Sequence, residues 1–458
     1  MQAGFVTEKQ QSESDDSGKN VLLIAYYFPP MGGSGVQRPV KLAKYLPSFG
    51  WNPVILVPEP GAYYHFDESL AQEISELKIP PVRVKARTLF HAAAGIAGVG
   101  QLKVQPQEWK TRLLSFITSW FFVPDNKTAW IKPALEQAAK LIREHNIKAV
   151  IATAPPYSNL LIAARIREAF HIPVIMDFRD EWLQSHWVSY PTSWHFRRMQ
   201  QTEQAALSRA DYVTVVNEAY RDSISRRMPG PKQKRIQVIP NGYDPADFEG
   251  AEVTQTGSGT PETDSKHQKV FTLLHSGRFY SGIQPDDLLE AVHRFLQNHP
   301  EKRKCFRLAF QGGLTDTHQQ QIKKLDLEDV TRDYGYLPHK KAVRNLMQAD
   351  ALFLTLGHIP QIEAVTPGKL FEYIGSGKPV LAYLPEGISQ KLLQGYGACF
   401  LADLGAKQQQ YRALKALFFA WEKDRLPQPD PEYCRQFSRI EIAAAFGKIL
   451  DQLRLRES

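Results

Sequence analysis

Cysteine is scarce in this 458-residue chain: Cys305, Cys399 and Cys434 are the only three, and none has metal-ligand or redox spacing. That excludes a disulfide-built fold and points to a reducing compartment. No run of about 18 apolar residues occurs, so no helix is expected to span a membrane. The polar start, Met1 to Asn20, lacks an apolar core and reads as a disordered tail, not a signal peptide. There is no P-loop, no zinc-protease helix, no nucleophile elbow and no cluster of metal ligands, so no metal is expected. DNA- and RNA-binding motifs are missing as well. The net charge of +8 is therefore read as favouring nucleotide phosphates or acidic lipid head groups over nucleic acid.

What is present is an ordinary globular composition, 43% hydrophobic and 23% charged, in a chain long enough for two or three domains. Val21 to Tyr27 is a continuous apolar run, as in a buried parallel strand. The loop Gly32-Gly33-Ser34-Gly35, a helix from Val36 and a strand over Pro53 to Val57 complete a Rossmann-like opening. Strands alternate with helices up to Ile239. Glu249 to Lys269 is polar and rich in Thr, Gly and Ser, and reads as a linker or insertion. The alternation restarts at Val270 and continues to the closing helix, Ile440 to Leu455. The expected fold class is α/β, with two doubly wound domains whose strand ends face a shared cleft. The boundaries read as a tail over 1–20, a first domain over 21–245, a linker over 246–269, a second domain over 270–430 and a terminal helical segment over 431–458.

One stretch organises the rest: Thr366-Pro367-Gly368-Lys369-Leu370-Phe371-Glu372-Tyr373-Ile374. Thr366 is a candidate N-cap and Pro367 fits the first helical position. A helix start offers free N–H groups and the positive end of its dipole to an anion. Lys369 adds a full charge, and Glu372 lies on the same face, where a carboxylate accepts two hydrogen bonds from a ribose diol. The plainer reading is an exposed Lys369–Glu372 pair on a surface helix.

Four further groups carry candidate chemistry. Gly32 and Gly33 let backbone approach a phosphate or sugar. A dinucleotide fingerprint is the competing reading there, but Arg38 stands where its third glycine belongs. Ser276-Gly277-Arg278 ends the first strand of the second half, and Arg278 offers a fixed fork for a diphosphate. Its plainer role is pairing with Asp286 or Asp287. Asp177, Arg179 and Asp180 cluster at a strand's carboxyl end. Either aspartate is placed to act as a base or to orient the acceptor hydroxyl, against a purely structural Arg179–Asp180 pair. Pro240 to Asp244 carries the Asn-Gly of a tight turn and reads as hinge geometry.

The run TPGKLFEYIGSGKPVLA resembles the donor-binding segment of the family 4 glycosyltransferases, which have the GT-B fold. The resemblance extends from Val21 to about Arg456. It implies that Glu372 holds the nucleotide ribose, although Ala364 stands where the family carries an earlier Glu. It implies that Arg278 meets the leaving diphosphate; the Lys that commonly follows in the family is missing at Ser281-Gly282-Ile283, and Lys369 is read as supplying that charge. It also implies a sugar contact in the first domain; the usual His is missing there, and Tyr157 or Ser158 is the substitute. The activity expected is metal-free, retaining transfer of a sugar from a UDP- or GDP-linked donor to an acceptor hydroxyl, with no cofactor. The acceptor is a surface polysaccharide or a lipid-linked glycan. Segment 109–123, with its Leu, Phe and Trp face, reads either as an interdomain helix or as a peripheral membrane contact on the cytoplasmic face. The rival functions are a sugar-nucleotide epimerase or hydrolase, a membrane-docked binding protein and a dinucleotide oxidoreductase.

Overall fold

The computed structural model describes residues 18–63, 67–86, 100–101, 120–184, 190–228, 230, 235–249, 269–279, 282–357 and 361–455. Most of the expected tail, residues 109–119 and most of the expected linker lie outside the described residues.

Two large all-parallel sheets organise the described residues, beside a two-stranded pair of Ala62–Tyr63 and Gly100–Gln101. The first contains β1 (Lys19–Ile24), β2 (Trp51–Pro58), β3 (Val82–Val84), β4 (Ile147–Ala154), β5 (Val174–Phe178), β6 (Tyr212–Val215) and β7 (Ile236–Val238), in the order β3-β2-β1-β4-β5-β6-β7. The second contains β8 (Phe271–Ser276), β9 (Phe306–Gln311), β10 (Thr331–Asp333), β11 (Ala351–Thr355), β12 (Val380–Leu384) and β13 (Cys399–Asp403), in the order β10-β9-β8-β11-β12-β13. Each sheet grows in one direction from its first strand and then reverses past it. That reversal opens a crevice at the strands' carboxyl ends. The central strands are largely apolar because helices cover both faces; Val21 to Ile24 and Val380 to Leu384 are fully buried.

The helices used below are α1 (Ser34–Tyr45), α2 (Glu68–Glu76), α3 (Ser193–Leu207), α4 (His339–Gln348), α5 (Gly368–Ser376) and α6 (Arg439–Arg454). Helix α6 belongs to the end of the chain, yet it packs on the first sheet. Ile442, Phe446, Ile449, Leu450 and Leu453 share one core with Val21, Leu23, Ile151 and Ile175. Burying each such side chain contributes about 1.5–3 kcal/mol. Lys19, expected in the tail, is the first residue of β1, and its Nζ lies 2.8 Å from Asp451 of α6.

The chain therefore crosses between the sheets twice, and the two crossings are stitched together. The Tyr243 N–H donates to Phe437 O at 3.0 Å, and the Arg439 N–H donates to Tyr243 O at 2.8 Å. Gly242 is needed for this close approach, since a Cβ there would lie 2.1 Å from Phe437 O. The Asn-Gly pair thus lies where two segments of the chain cross between the sheets.

Candidate active site

The carboxyl edges of the two sheets meet. Asn217, just past β6, donates through Nδ2 to Ala364 O, in the segment that leads from β11 into the next helix, at 2.8 Å. On the second sheet, glycine loops stack backbone on backbone. A Cβ on Gly312 would lie 2.5 Å from Gly277 C and O, and one on Gly357 would lie 1.9 Å from Gly282 O. Gly277 and Gly312 have φ of 112° and 130°, which side chains rarely tolerate.

Helix α5 rises from this floor. It starts one residue later than expected, with Pro367 and not Thr366 at the N-cap and no side-chain cap. Pro367 is extended (φ −68°, ψ 142°), so the helical turn begins only at Gly368. The Thr366 hydroxyl is buried and has no hydrogen-bond partner among the described residues. The first amides of α5 are left open to an acceptor such as a phosphate oxygen.

Lys369 leans back over the floor. A Cβ on Gly277 would stand 3.0 Å from its Nζ, which also lies 3.4 Å from His275 Nε2. His275 is buried, with Nδ1 3.0 Å from Phe353 O and its ring stacked on Phe279. Burial, and then the Lys369 charge, keep His275 well below its usual pKa. Burial likewise pushes Lys369 down to about 8, with Glu372 pulling the other way. Ser276 sits beneath: its N–H donates to Tyr373 Oη and its hydroxyl accepts from Gln311. Arg278 is exposed at the rim of the same loop.

Glu372 faces the junction between the domains. Its Oε1 lies 3.3 Å from Nε2 of His339, at the start of α4. Nδ1 of the same ring lies 3.9 Å from Asp247 Oδ2 in the interdomain segment. Asp247 in turn lies 3.3 Å from buried Lys41 of α1, which also meets Asp244 and Glu73 at 2.7 Å each. The sequence reading missed His339. Pro338, followed by Val343 and Leu346 on one face, was the available signal for its helix.

Burial alone would lower His339, but the hydrogen bond and charge of Glu372, together with Asp247, raise it to about 9. A raised folded-state pKa stabilises the fold fully below the unfolded value near 6.5, and that stabilisation is lost as pH rises through about 9. His339→Gln is therefore expected to flatten the fall in melting temperature between pH 6.5 and 9. A parallel fall in variant and parent would remove His339 from this linkage.

The first-domain candidates have different fates. Gly32 and Gly33 end the loop before α1, with Gly33 at φ 104°. Burial lowers the Arg179 pKa, and the neighbouring Asp180 charge pulls it back up. Arg179 donates to the carbonyls of Ala154, Pro155 and Gly35, which fixes the glycine loop against the loop after β4. Asp180 remains partly exposed beside it. Tyr157 is buried, donates to Glu181 O at 2.8 Å and stacks on Trp182, and Ser158 is spent on Asp125 at 2.6 Å. Both are buried, and the proton of each hydroxyl is already donated.

Asp177 requires a correction. It is fully buried, and register sets it directly between Thr153 and Thr214 on the neighbouring strands. Both hydroxyls donate to it, at 2.8 and 2.7 Å, and Arg38 donates through Nε and Nη2 at 2.9 and 2.8 Å. All its lone pairs are occupied, so it cannot receive an acceptor proton. Arg38 fills the position of a third glycine and also donates to Ile239 O and Pro240 O. No group of three or more His, Cys, Asp or Glu side chains is placed to hold a metal among the described residues.

Two facing parallel sheets, a terminal helix returning to the first, and glycine loops at the meeting edges define the GT-B fold. Solved structures agree over nearly the whole chain. A glycosyltransferase from Rickettsia africae ESF-5 superposes with a TM-score of 0.60 at 14% identity, covering 96% of this chain and 99% of that one. Sucrose-phosphate synthase from Thermosynechococcus elongatus gives 0.59 at 14%, covering 96% and 100%. UDP-GlcNAc 2-epimerase from Methanocaldococcus jannaschii gives 0.53 at 10%, covering 94% and 99%. By sequence, no curated protein matches. Residues 33–242 match the family model of the glycosyl transferase 4-like domain. The resemblance to the family 4 glycosyltransferases is thus borne out by a match lying wholly outside the stretch that first carried it: this chain has a glycosyl transferase 4-like domain in a GT-B fold.

Proposed function

We propose that the protein transfers a sugar from a UDP- or GDP-linked donor to a hydroxyl of a glycan acceptor, a surface polysaccharide or a lipid-linked oligosaccharide. The observation that carries this is Lys369 poised over the Gly277 floor at the open start of α5, one turn before Glu372. A diphosphate fits the first group and a ribose diol the second. Lys369, the α5 amides and Arg278 on the rim would take up the charge of the leaving diphosphate, which supports a metal-free reaction. Retention of anomeric configuration is proposed from the family resemblance alone. With Asp177 withdrawn, Asp180 is the remaining acidic candidate beside the acceptor.

Glu372→Ala is expected to weaken binding of UDP or GDP, whichever the parent prefers, at least tenfold, about 1.4 kcal/mol. Isothermal titration measures it, and unchanged affinity would sink the ribose assignment. The second reading is an epimerase or hydrolase, since the fold neighbours include UDP-N-acetylglucosamine 2-epimerases. Incubating donor without any acceptor separates them: an epimerised or freely hydrolysed sugar favours the second reading, and intact donor favours transfer.

A further inference from the structure

Nine large apolar or aromatic side chains stand out as exposed among the described residues, and five of them gather in one place. Trp120 and Phe121 are helical, Phe122 follows them before Pro124, and Trp194 and Phe196 come from the start of α3. Phe121 is 78% exposed and Trp194 58%. The two sources are joined through His195, whose ring meets Trp120 edge-on at 5.1 Å and Trp194 at 4.9 Å. The ridge is therefore built and not a set of stray side chains.

Arginines flank the ridge. Arg197 and Arg198 are exposed on the same turn of α3, and Arg198 lies 5.2 Å over the Trp194 ring. Behind Phe196 a cavity of about 250 Å³ opens, walled by Leu183 and Phe196, with Arg226 and Arg227 at its side. Arg227 is committed to Glu203 and Glu181, whereas Arg226 is exposed. Exposed Asp222, next to the cavity residue Ser223, is paired with Arg221. Glu203, the acidic residue of α3, is fully buried in that pair and cannot offset the arginines outside.

We infer that this ridge docks the first domain on an anionic lipid bilayer. Trp and Phe with adjoining Arg is the mixture that settles at a membrane–water boundary, rings among the upper acyl chains and guanidinium groups among the phosphates. Each basic residue near an anionic surface adds attraction, and the whole chain carries +8. A second copy is the poorer occupant. A two-fold contact would set this patch on itself and bring the arginines of both copies together. The ridge adjoins the acceptor-side loops: Tyr190 Oη donates to Leu183 O, and its ring meets Phe196 edge-on. Docking here turns the carboxyl edge of the first sheet toward the lipid surface. The inference does not need the transfer reading, because vesicle binding requires no donor.

The test is flotation of the full chain with vesicles of phosphatidylcholine alone and of phosphatidylcholine with about one quarter phosphatidylglycerol. The parent is expected to float with the anionic vesicles at least tenfold more than with the neutral ones. Phe121→Ala combined with Trp194→Ala, and separately Arg197→Glu combined with Arg198→Glu, are expected to lose at least tenfold in partitioning. Their melting temperatures should match the parent, since these side chains are exposed. Equal flotation with both vesicles, none with either, or full retention by both variants overturns the inference. So does a parent dimer in sedimentation that dissociates in the Phe121/Trp194 variant.

Discussion

Asp177→Ala is expected to destabilise the protein by about 3–5 kcal/mol, the range for breaking a buried, hydrogen-bonded ion pair by removing one partner. The variant leaves the Arg38 guanidinium buried and without its counter-charge, since Arg38 is 1% exposed. It also strips the acceptor from Thr153 and Thr214. Burial alone would raise the Asp177 pKa. Arg38 and the two hydroxyls override that and hold it below the usual carboxylate range. A depressed pKa means that this stabilisation is present at neutral pH and is lost as pH falls below the unfolded value near 3.9. Asp177→Asn separates structure from catalysis. Its amide would turn N–H groups toward donors, so the melting temperature should fall sharply there too. A catalytic base would behave otherwise: the asparagine variant would melt like the parent and lose turnover alone. Asp177→Asn with an unchanged melting temperature would overturn the structural role.

The contrast with α5 shows what a linear reading can see. Helix start, Lys369 and Glu372 fall within seven residues, and helical spacing alone puts the two side chains on one face. The two doubly wound domains were equally legible, because a buried parallel strand is a continuous apolar run and its neighbours are amphipathic helices. Asp177 was not. A strand buried on both faces has no alternation to say which way its last residues point. The partner that decides its role, Arg38, is 139 residues away. His339 failed for the same reason. It lies 33 residues from Glu372, in a helix with a polar first turn. The start of α5 slipped by one residue because capping preference for Thr366 is a local tendency, and the extended backbone of Pro367 outweighed it. Tyr157 and Ser158 looked free only because Trp182 and Asp125, which occupy them, are distant or bland in sequence.

Lys369→Met should have two opposite effects, and together they test the site most severely. Donor affinity is expected to fall about 100-fold, near 2.7 kcal/mol, because the diphosphate loses its point charge while the floor and the α5 amides remain. Without donor, the same variant should melt higher than the parent at pH 7. Burial depresses the Lys369 pKa to about 8. A lysine with a lowered folded-state pKa costs stability wherever it is charged, so the cost is full below pH 8 and relieved as pH rises toward the unfolded value near 10.4. Methionine keeps the aliphatic stem and removes the charge, so the relief should appear already at neutral pH. In the parent, affinity for UDP or GDP should decline as pH rises through about 8, where the free protein gives up that proton, and the methionine variant should show no such decline. Thermal melts with and without nucleotide, over pH 6 to 10, read both effects in one series. A variant that melts lower without ligand, or binds as tightly as the parent, would mean that Lys369 is a surface lysine and that the diphosphate belongs elsewhere. A cation held ready in a half-buried niche has a stability cost that its anion removes, and that opposition is what the pair of measurements detects.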